Sequence, residues 1–349
     1  MRITRRELLS GLAVVSVGAA FPGMSWAESP TSPLRINPDR LRNSLERLSI
    51  YGRPSGGTFA DGVSRIAFSD ADVAGHKYAM QLMRSFGMEP RIDPAGNIFG
   101  LRPGSDHYLK PILFGSHIDS VRSGGNFDGD VGSMSAIEVM HTLQQQNVTT
   151  RHPLQMVIWT NEECCFTGSR AAAGELTDGD PALAYNGISA ADGVRKLGGD
   201  PARLAEARLL PGSFRCYLEL HIEQGGVLYK ANVPIGVVEG IVSIDRYDVE
   251  VRGFANHAGT TPMAERHNAL LAAAKLIEAV QNVVTQKPGR QVGTVGHLEV
   301  FPNVPNVVPG LVKHSIELRD LSAEKLQDWE KRYKNKPRKS PGKPERRSP

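Results

Sequence analysis

The stretch Gly115-Ser116-His117-Ile118-Asp119-Ser120-Val121, followed closely by Gly124-Gly125-Asn126-Phe127-Asp128-Gly129, decides how the rest of the chain is read. The apolar run from Pro111 to Gly115 has the character of a buried strand, and it leads into His-x-Asp. A glycine-rich loop then delivers a second aspartate. Residues i and i+2 of a strand share a face, so His117 and Asp119 point the same way, and Asp119 can accept the imidazole N–H. Imidazole and carboxylate together are the ligand types of Zn²⁺ and similar divalent ions.

Two more apolar runs end in ligand-type residues. Leu154 to Thr160 leads into Asn161-Glu162-Glu163, and Cys216 to Leu220 leads into His221-Ile222-Glu223-Gln224-Gly225. Adjacent carboxylates at the end of a buried strand are costly unless a cation or metal meets them. Neighbouring residues on a strand face opposite ways, so only one of Glu162 and Glu163 need be a ligand. Any one of these ends could be a solvated polar terminus. Three together point to a metal centre. Cys164 and Cys165 follow the Glu pair and are expected to be buried, inert thiols. The glycine-rich loops lack the Gly-Lys-Ser/Thr of a phosphate loop.

Between the strands lie helical patterns. Asn37-Pro38 opens one that runs to about Ile50. Ser69 to Asp72 reads as a capping box for a helix ending near Phe86-Gly87. Asn97 to Leu101 reads as a further strand, and Gly132 to Gln146 and Ser169 to Leu176 as further helices. Alternating strands and helices predict an α/β fold whose sheet is largely parallel and covered on both faces. Near Gly240 the rhythm changes. Strands are expected over Tyr247 to Val251, Gln291 to Val300 and Val312 to Leu318, with helices over Ala264 to Val284 and Ala323 to Tyr333. That is β-α-β-β-α, one strand short of a ferredoxin-like unit. The predicted division is a signal segment 1–27, a catalytic metal-binding domain 28–240, an inserted lid or dimerisation domain 241–327, and a basic tail 328–349.

The net charge of +4 over 349 residues comes from that tail, which holds nine Lys or Arg against three acids and leaves the rest near −2. A basic body that grips nucleic acid is therefore not expected. Three cysteines, two of them adjacent, make no disulfide framework. At the N-terminus, Arg5-Arg6, an apolar run from Leu8 to Ala20 and Ser25-Trp26-Ala27 have the order of a twin-arginine signal, which implies periplasmic export without a membrane anchor after cleavage.

The motifs Gly-Ser-His-x-Asp-Ser-Val, Gly-Gly-x-Phe-Asp-Gly, Thr-Asn-Glu-Glu and Glu-Leu-His-Ile-Glu-Gln-Gly resemble the aminoacylase-related two-metal hydrolases. The match is closest to the N-carbamoyl-L-amino-acid hydrolases and allantoate amidohydrolases, and it covers about Asn37 to Gln327. The resemblance implies two divalent ions per subunit (zinc, or manganese, cobalt or nickel). His117 and His221 would bind one, Asp128 would bridge, and Glu163 would bind the other. Glu162 would be the general base, with Asp119 supporting His117. His257, in Asn-His-Ala-Gly-Thr-Thr-Pro-Met at the start of the long helix, would stabilise the oxyanion of a partner subunit, which implies a homodimer. Gln224, Asn306 and Arg319 would contact a small ureido or amide substrate bearing a carboxylate, for which Arg is a bidentate partner. The implied reaction is cleavage of a carbamoyl or ureido C–N bond. An aminoacylase or dipeptidase of the same architecture and a non-catalytic remnant are the alternatives.

The resemblance also implies a return segment after the second domain, with a final His ligand for the second metal. The match fades near Gln327 into a basic stretch with four prolines in its last thirteen residues, which forbid a continuing helix or strand. A genuine extension and out-of-frame translation are both open, and the abruptness favours the second. On this reading the chain is expected to hold about one tight metal and to turn over little substrate.

Overall fold

The computed structural model of the protein describes residues 34–326, apart from residues 186, 287 and 323. The expected signal, the basic tail and most of the helix expected over Ala323 to Tyr333 lie outside the described residues. The chain divides at Gly226/Val227 into two compact units, ahead of the change of rhythm near Gly240.

In the first unit, α1 (Pro38–Leu48) starts where Asn37 accepts the amide of Arg40 at 3.0 Å and Pro38 takes the first helical position. Helix α2 (Asp70–Ser85) is capped by Ser69, which accepts the Asp72 amide at 3.2 Å. The Asp72 carboxylate reaches back to the Phe68 amide at 2.7 Å, one residue beyond the usual capping box. Strands β1 (Pro90–Ile92), β2 (Ile98–Arg102) and β3 (Ile112–His117) precede α3 (Asp130–Gln145) and β4 (Leu154–Trp159). Then come α4 (Glu162–Cys165), α5 (Thr167–Ala173), the small β5 (Ala184–Tyr185) and β6 (Ile188–Ser189) pair, α6 (Ala190–Leu197) and β7 (Cys216–Leu218).

The five-stranded sheet has the order β1-β2-β4-β3-β7. β4, β3 and β7 are mutually parallel, whereas β2 joins β4 and β1 joins β2 antiparallel. The sheet is therefore mixed, with its parallel part at the strands singled out by their endings. The cause is connection length. The crossover through α3 makes β3 and β4 parallel. β1 and β2 are joined by a short turn in which the Asp93 carboxylate accepts the amides of Ala95 and Asn97, each at 2.9 Å, and such a turn permits only antiparallel pairing.

Central β4 is buried along its whole length. Met156 and Ile158 pack with Leu48, Met83, Met134, Ile137 and Met140 from α1, α2 and α3. On the opposite face Val157 and Trp159 pack with Phe99, Leu113 and Ala172 of α5. Both faces are covered, which is why β4 reads as a continuous apolar run rather than an alternating one.

The second unit holds α7 (Val227–Lys230), β8 (Ser243–Arg252), β9 (Asn256–His257), α8 (Ala269–Thr285), β10 (Val292–Thr294), β11 (Leu298–Phe301), β12 (Val307–Val308) and β13 (Leu311–Asp320). β13 is the middle of an antiparallel sheet. β8 pairs along all ten of its residues, and β10 and β11 pair with it in succession. Buried Val312, Ile316 and Leu318 alternate along β13 and pack on Ala269, Ala273, Val280 and Val284 of α8. Two elements differ from expectation. The strand expected over Gln291 to Val300 is broken into β10 and β11. The long helix starts at Ala269 rather than Ala264, because the Asn268 side chain caps it by accepting the amides of Leu270 and Leu271 at 3.0 and 3.1 Å.

Candidate metal centre

Because β3, β4 and β7 run the same way, their C-terminal ends emerge at one edge of the sheet. His117 is the last residue of β3 and pairs in register with Trp159, the last of β4. The β7 ladder stops at Leu218, and the chain runs on through Glu219 and Leu220 to His221. Asp128 lies in the loop between β3 and α3. Nε2 of His221 stands 3.1 Å from Oδ1 of Asp128, and Nε2 of His117 stands 4.0 Å from the same oxygen. The ligand atoms of His117, Asp128 and His221 all lie within 4.8 Å of one another.

Gly129 allows this approach. It adopts φ +64°, and a Cβ built on it would lie 2.4 Å from Cε1 of the His117 ring. Gly115 serves the strand in the same way: a Cβ there would fall 1.8 Å from the carbonyl oxygen of Val157. Only glycine lets β3 and the aspartate loop close on their neighbours.

At the end of β4, Asn161 takes a left-handed turn at φ 54° and ψ 55°, and its side chain donates to Oγ1 of Thr167 at 2.8 Å. The chain turns straight into α4, so Glu162 and Glu163 lie on a helical turn and not on a strand. The opposite-faces argument for dividing them is therefore replaced by the roughly 100° offset of adjacent helical residues. Their amides both donate to the Asp119 carboxylate at 3.1 Å. Asp119 consequently differs from expectation. Nδ1 of His117 meets the main-chain oxygen of Asp119 at 3.0 Å, while the Asp119 carboxylate is 3.6 Å from that nitrogen. The carboxylate is spent on the Glu pair, and a backbone carbonyl orients the imidazole, as is common for metal-binding histidine.

The cluster is electrostatically tense. Burial disfavours a charged His117, but Asp119 and Glu162 together raise it to about 10. The bond to Asp128 raises His221 to about 9, and the same bond lowers Asp128. Burial, then Asp128, push Glu163 up to about 7. Burial also raises Glu162. Oε1 of Glu163 is buried without a hydrogen-bond partner. Two imidazoles, a carboxylate between them and a neighbouring carboxylate with an orphaned oxygen are a donor set that a divalent cation satisfies. His117, Asp128, His221 and Glu163 thus fit such an ion.

Gln224 donates to the Asp128 carboxylate, so it joins the cluster directly. Cys164 and Cys165 are half-buried rather than buried, and Cys216 is exposed. Burial pushes the Cys164 thiol to about 12, in keeping with an inert group. In the second unit, His257 is in β9 and not at the helix start; it pairs with Val307, and Ala258 donates to the carbonyl of Asn306 at 2.9 Å. His257 and Asn306 are therefore neighbours through backbone pairing. Arg319 lies near the end of β13, where its guanidinium bonds Glu317 at 2.6 Å.

A further network, not among the expected site residues, adjoins the cluster. Ser116 donates to Glu219 at 2.6 Å, Tyr217 donates to Glu219 at 2.6 Å, and Trp159 donates to the Tyr217 hydroxyl at 2.8 Å. It ties the ends of β3, β4 and β7 together beyond the β7 ladder. Glu219 stands two residues before His221, and that alternation was the available signal.

Residues 113–312 match the model of peptidase family M20/M25/M40. The chain is 38% identical over 296 residues to an N-carbamoyl-L-amino acid amidohydrolase of Geobacillus stearothermophilus, covering 83% of this chain and 71% of that one. It is 31% identical over 303 residues to the allantoate amidohydrolase of Escherichia coli K12, covering 84% and 72%. A solved hydantoinase/carbamoylase family amidase from Burkholderia ambifaria superposes with a TM-score of 0.72 at 33% identity, covering 86% of this chain and 74% of that one. The family is one of metal-dependent hydrolases, in keeping with the donor set at the sheet edge. The chain belongs to peptidase family M20/M25/M40 and, within it, to the amidohydrolases.

Proposed function

We propose that the protein hydrolyses the C–N bond of a carbamoyl or ureido group carried on a carbon that also bears a carboxylate, as in N-carbamoyl-L-amino acids and allantoate. The observation that carries the reading is the convergence of His117, Asp128 and His221 within 4.8 Å at the ends of parallel strands. The names of the relatives supply the substrate class. His117, Asp128 and His221 would hold one ion, and Asp128 with Glu163 a second. Bound divalent ions supply Lewis acidity for the carbonyl and lower the pKa of water.

The chain's own groups do the rest. Glu162 is raised by burial and lies 3.7 Å from Nε2 of His117 through Oε2. Its carboxylate takes a proton from the attacking water and returns it to the leaving nitrogen as the C–N bond breaks. Asp119 fixes the helical turn that presents Glu162. Asn306 and Arg319 hold the substrate carboxylate, Gln224 contacts the substrate, and His257 donates to the oxyanion of a partner copy in a homodimer. Export to the periplasm is proposed from Arg5-Arg6 and the apolar run that follows.

The test is turnover of N-carbamoyl-L-amino acids, allantoate, N-acetyl amino acids and dipeptides by metal-loaded protein. Preference for the first two is expected. Good dipeptide turnover with none on ureido compounds would move the protein to the peptidase side of its family.

A further inference from the structure

Arg65 carries a buried charge that the reaction above does not use. It sits in the mostly apolar segment Val63-Ser64-Arg65-Ile66-Ala67-Phe68 and is 0% exposed. A guanidinium out of water is strongly unfavourable unless its donors are met. Here they are. Nε donates to the Ile118 carbonyl at 2.5 Å, and Nη1 donates to the carbonyls of Leu48 at 3.0 Å and Tyr51 at 2.9 Å. Nη2 donates to the Asp130 carboxylate, itself 1% exposed. The backbone joins in: the Arg65 amide donates to Oγ of Ser120 and the Ser120 amide to the Arg65 carbonyl, each at 2.9 Å.

These partners are not scattered. Ile118 lies between His117 and Asp119. Asp130 lies two residues beyond Asp128. Leu48 and Tyr51 mark the end of α1, an anchor independent of both. One planar group therefore spans the two segments that deliver the ligands and fastens both to a helix. The packing is tailored to it, since a Cβ on Gly75 would come within 2.8 Å of the Arg65 Cδ. Lysine offers a shorter point charge with three donors and no fork, so it cannot meet all these acceptors.

We propose that Arg65 is a positioning residue of the metal centre, whose guanidinium sets the spacing between the His117–Asp119 segment and the Asp128 loop. The inference rests on the metal-centre reading of that site. It makes the ion-binding geometry depend on a side chain that touches neither ion nor substrate.

The test uses the full chain reconstituted with cobalt(II). Arg65→Lys and Asp130→Asn are compared with the wild type by circular dichroism, thermal melting, the visible absorption of bound cobalt, and cobalt affinity against a competing chelator. Glu138→Gln, at a buried ion pair that touches no ligand, controls for lost stability alone. Both test variants should bind cobalt at least ~10-fold more weakly, as for other groups that orient ligands, with a changed visible band. Their kcat should fall while KM changes little. Glu138→Gln should melt earlier with wild-type cobalt affinity and spectrum. Folded Arg65→Lys with wild-type affinity and spectrum would overturn the proposal. If Arg65→Lys does not fold, Asp130→Asn decides: an altered band supports the proposal, and an unaltered one overturns it. A wild type that binds no cobalt would overturn the metal-centre reading, and the inference with it.

Discussion

Nε2 of His221 lies 3.1 Å from Oδ1 of Asp128, although 93 positions separate the two residues. The short distance follows from β3 and β7 being parallel neighbours, so that the loop after one and the extension of the other meet at one edge. Local sequence places His221 just past one strand and Asp128 in the loop that follows another. Only the strand order brings them together.

Glu162→Gln should keep the metal and lose at least ~10²-fold in kcat, as expected when a general base is removed. Elemental analysis and steady-state kinetics on the same preparation check both halves. Wild-type turnover in this variant would show that another group moves the proton.

Asp119→Ala should act on the Glu pair rather than on His117 alone. It strips the acceptor from the amides of Glu162 and Glu163, both bonded at 3.1 Å. Leaving buried donors unpaired costs about 1–3 kcal/mol each. A lower melting temperature and a large drop in kcat are expected together. Unchanged melting would mean that the turn holds itself.

Gly129→Ala should be damaging despite its small size. The residue has φ +64°, and the added methyl would meet the His117 ring at 2.4 Å. The left-handed backbone alone costs roughly 1–2 kcal/mol for a residue with a Cβ. Reduced stability and weaker metal retention should appear together in melting curves and in metal content after dialysis.

Acid should loosen the contact between α1 and α3. Burial works to raise Glu138, but Arg40 at 2.6 Å, the Asn37 amide and Thr142 outweigh it and hold its pKa below the usual value. A depressed carboxyl pKa adds stability above its unfolded value, and that stability is lost as pH falls through the folded value. Wild-type stability should therefore decline below about pH 4.5, more steeply than that of Glu138→Gln. At neutral pH Glu138→Gln should be less stable by about 1–3 kcal/mol. Parallel curves for the two proteins would contradict this.

Much of this arrangement was legible in the sequence, and the exceptions have physical causes. His117, Glu162, Glu163 and His221 stand out because each follows an apolar run, where a polar or charged side chain is costly unless a specific partner meets it. The antiparallel pairing of β1 with β2 was not legible, because it depends on a side-chain-bonded turn at Asp93. The helical turn at Glu162 was missed because left-handed Asn161 ends β4 abruptly. The role of Arg65 left no trace, since one basic residue in a largely apolar segment has no periodicity. The acceptors of its guanidinium, apart from Asp130, are backbone carbonyls, which carry no residue identity.

The most direct measurement is the metal content of the purified wild type and of Asp128→Ala after exhaustive dialysis, by elemental analysis. Asp128 is the carboxylate between two imidazoles, so the wild type should retain at least about one divalent ion per chain and the variant essentially none. Equal metal content in the two proteins, or none in the wild type, would contradict the assignment of His117, Asp128 and His221 as the centre of the site.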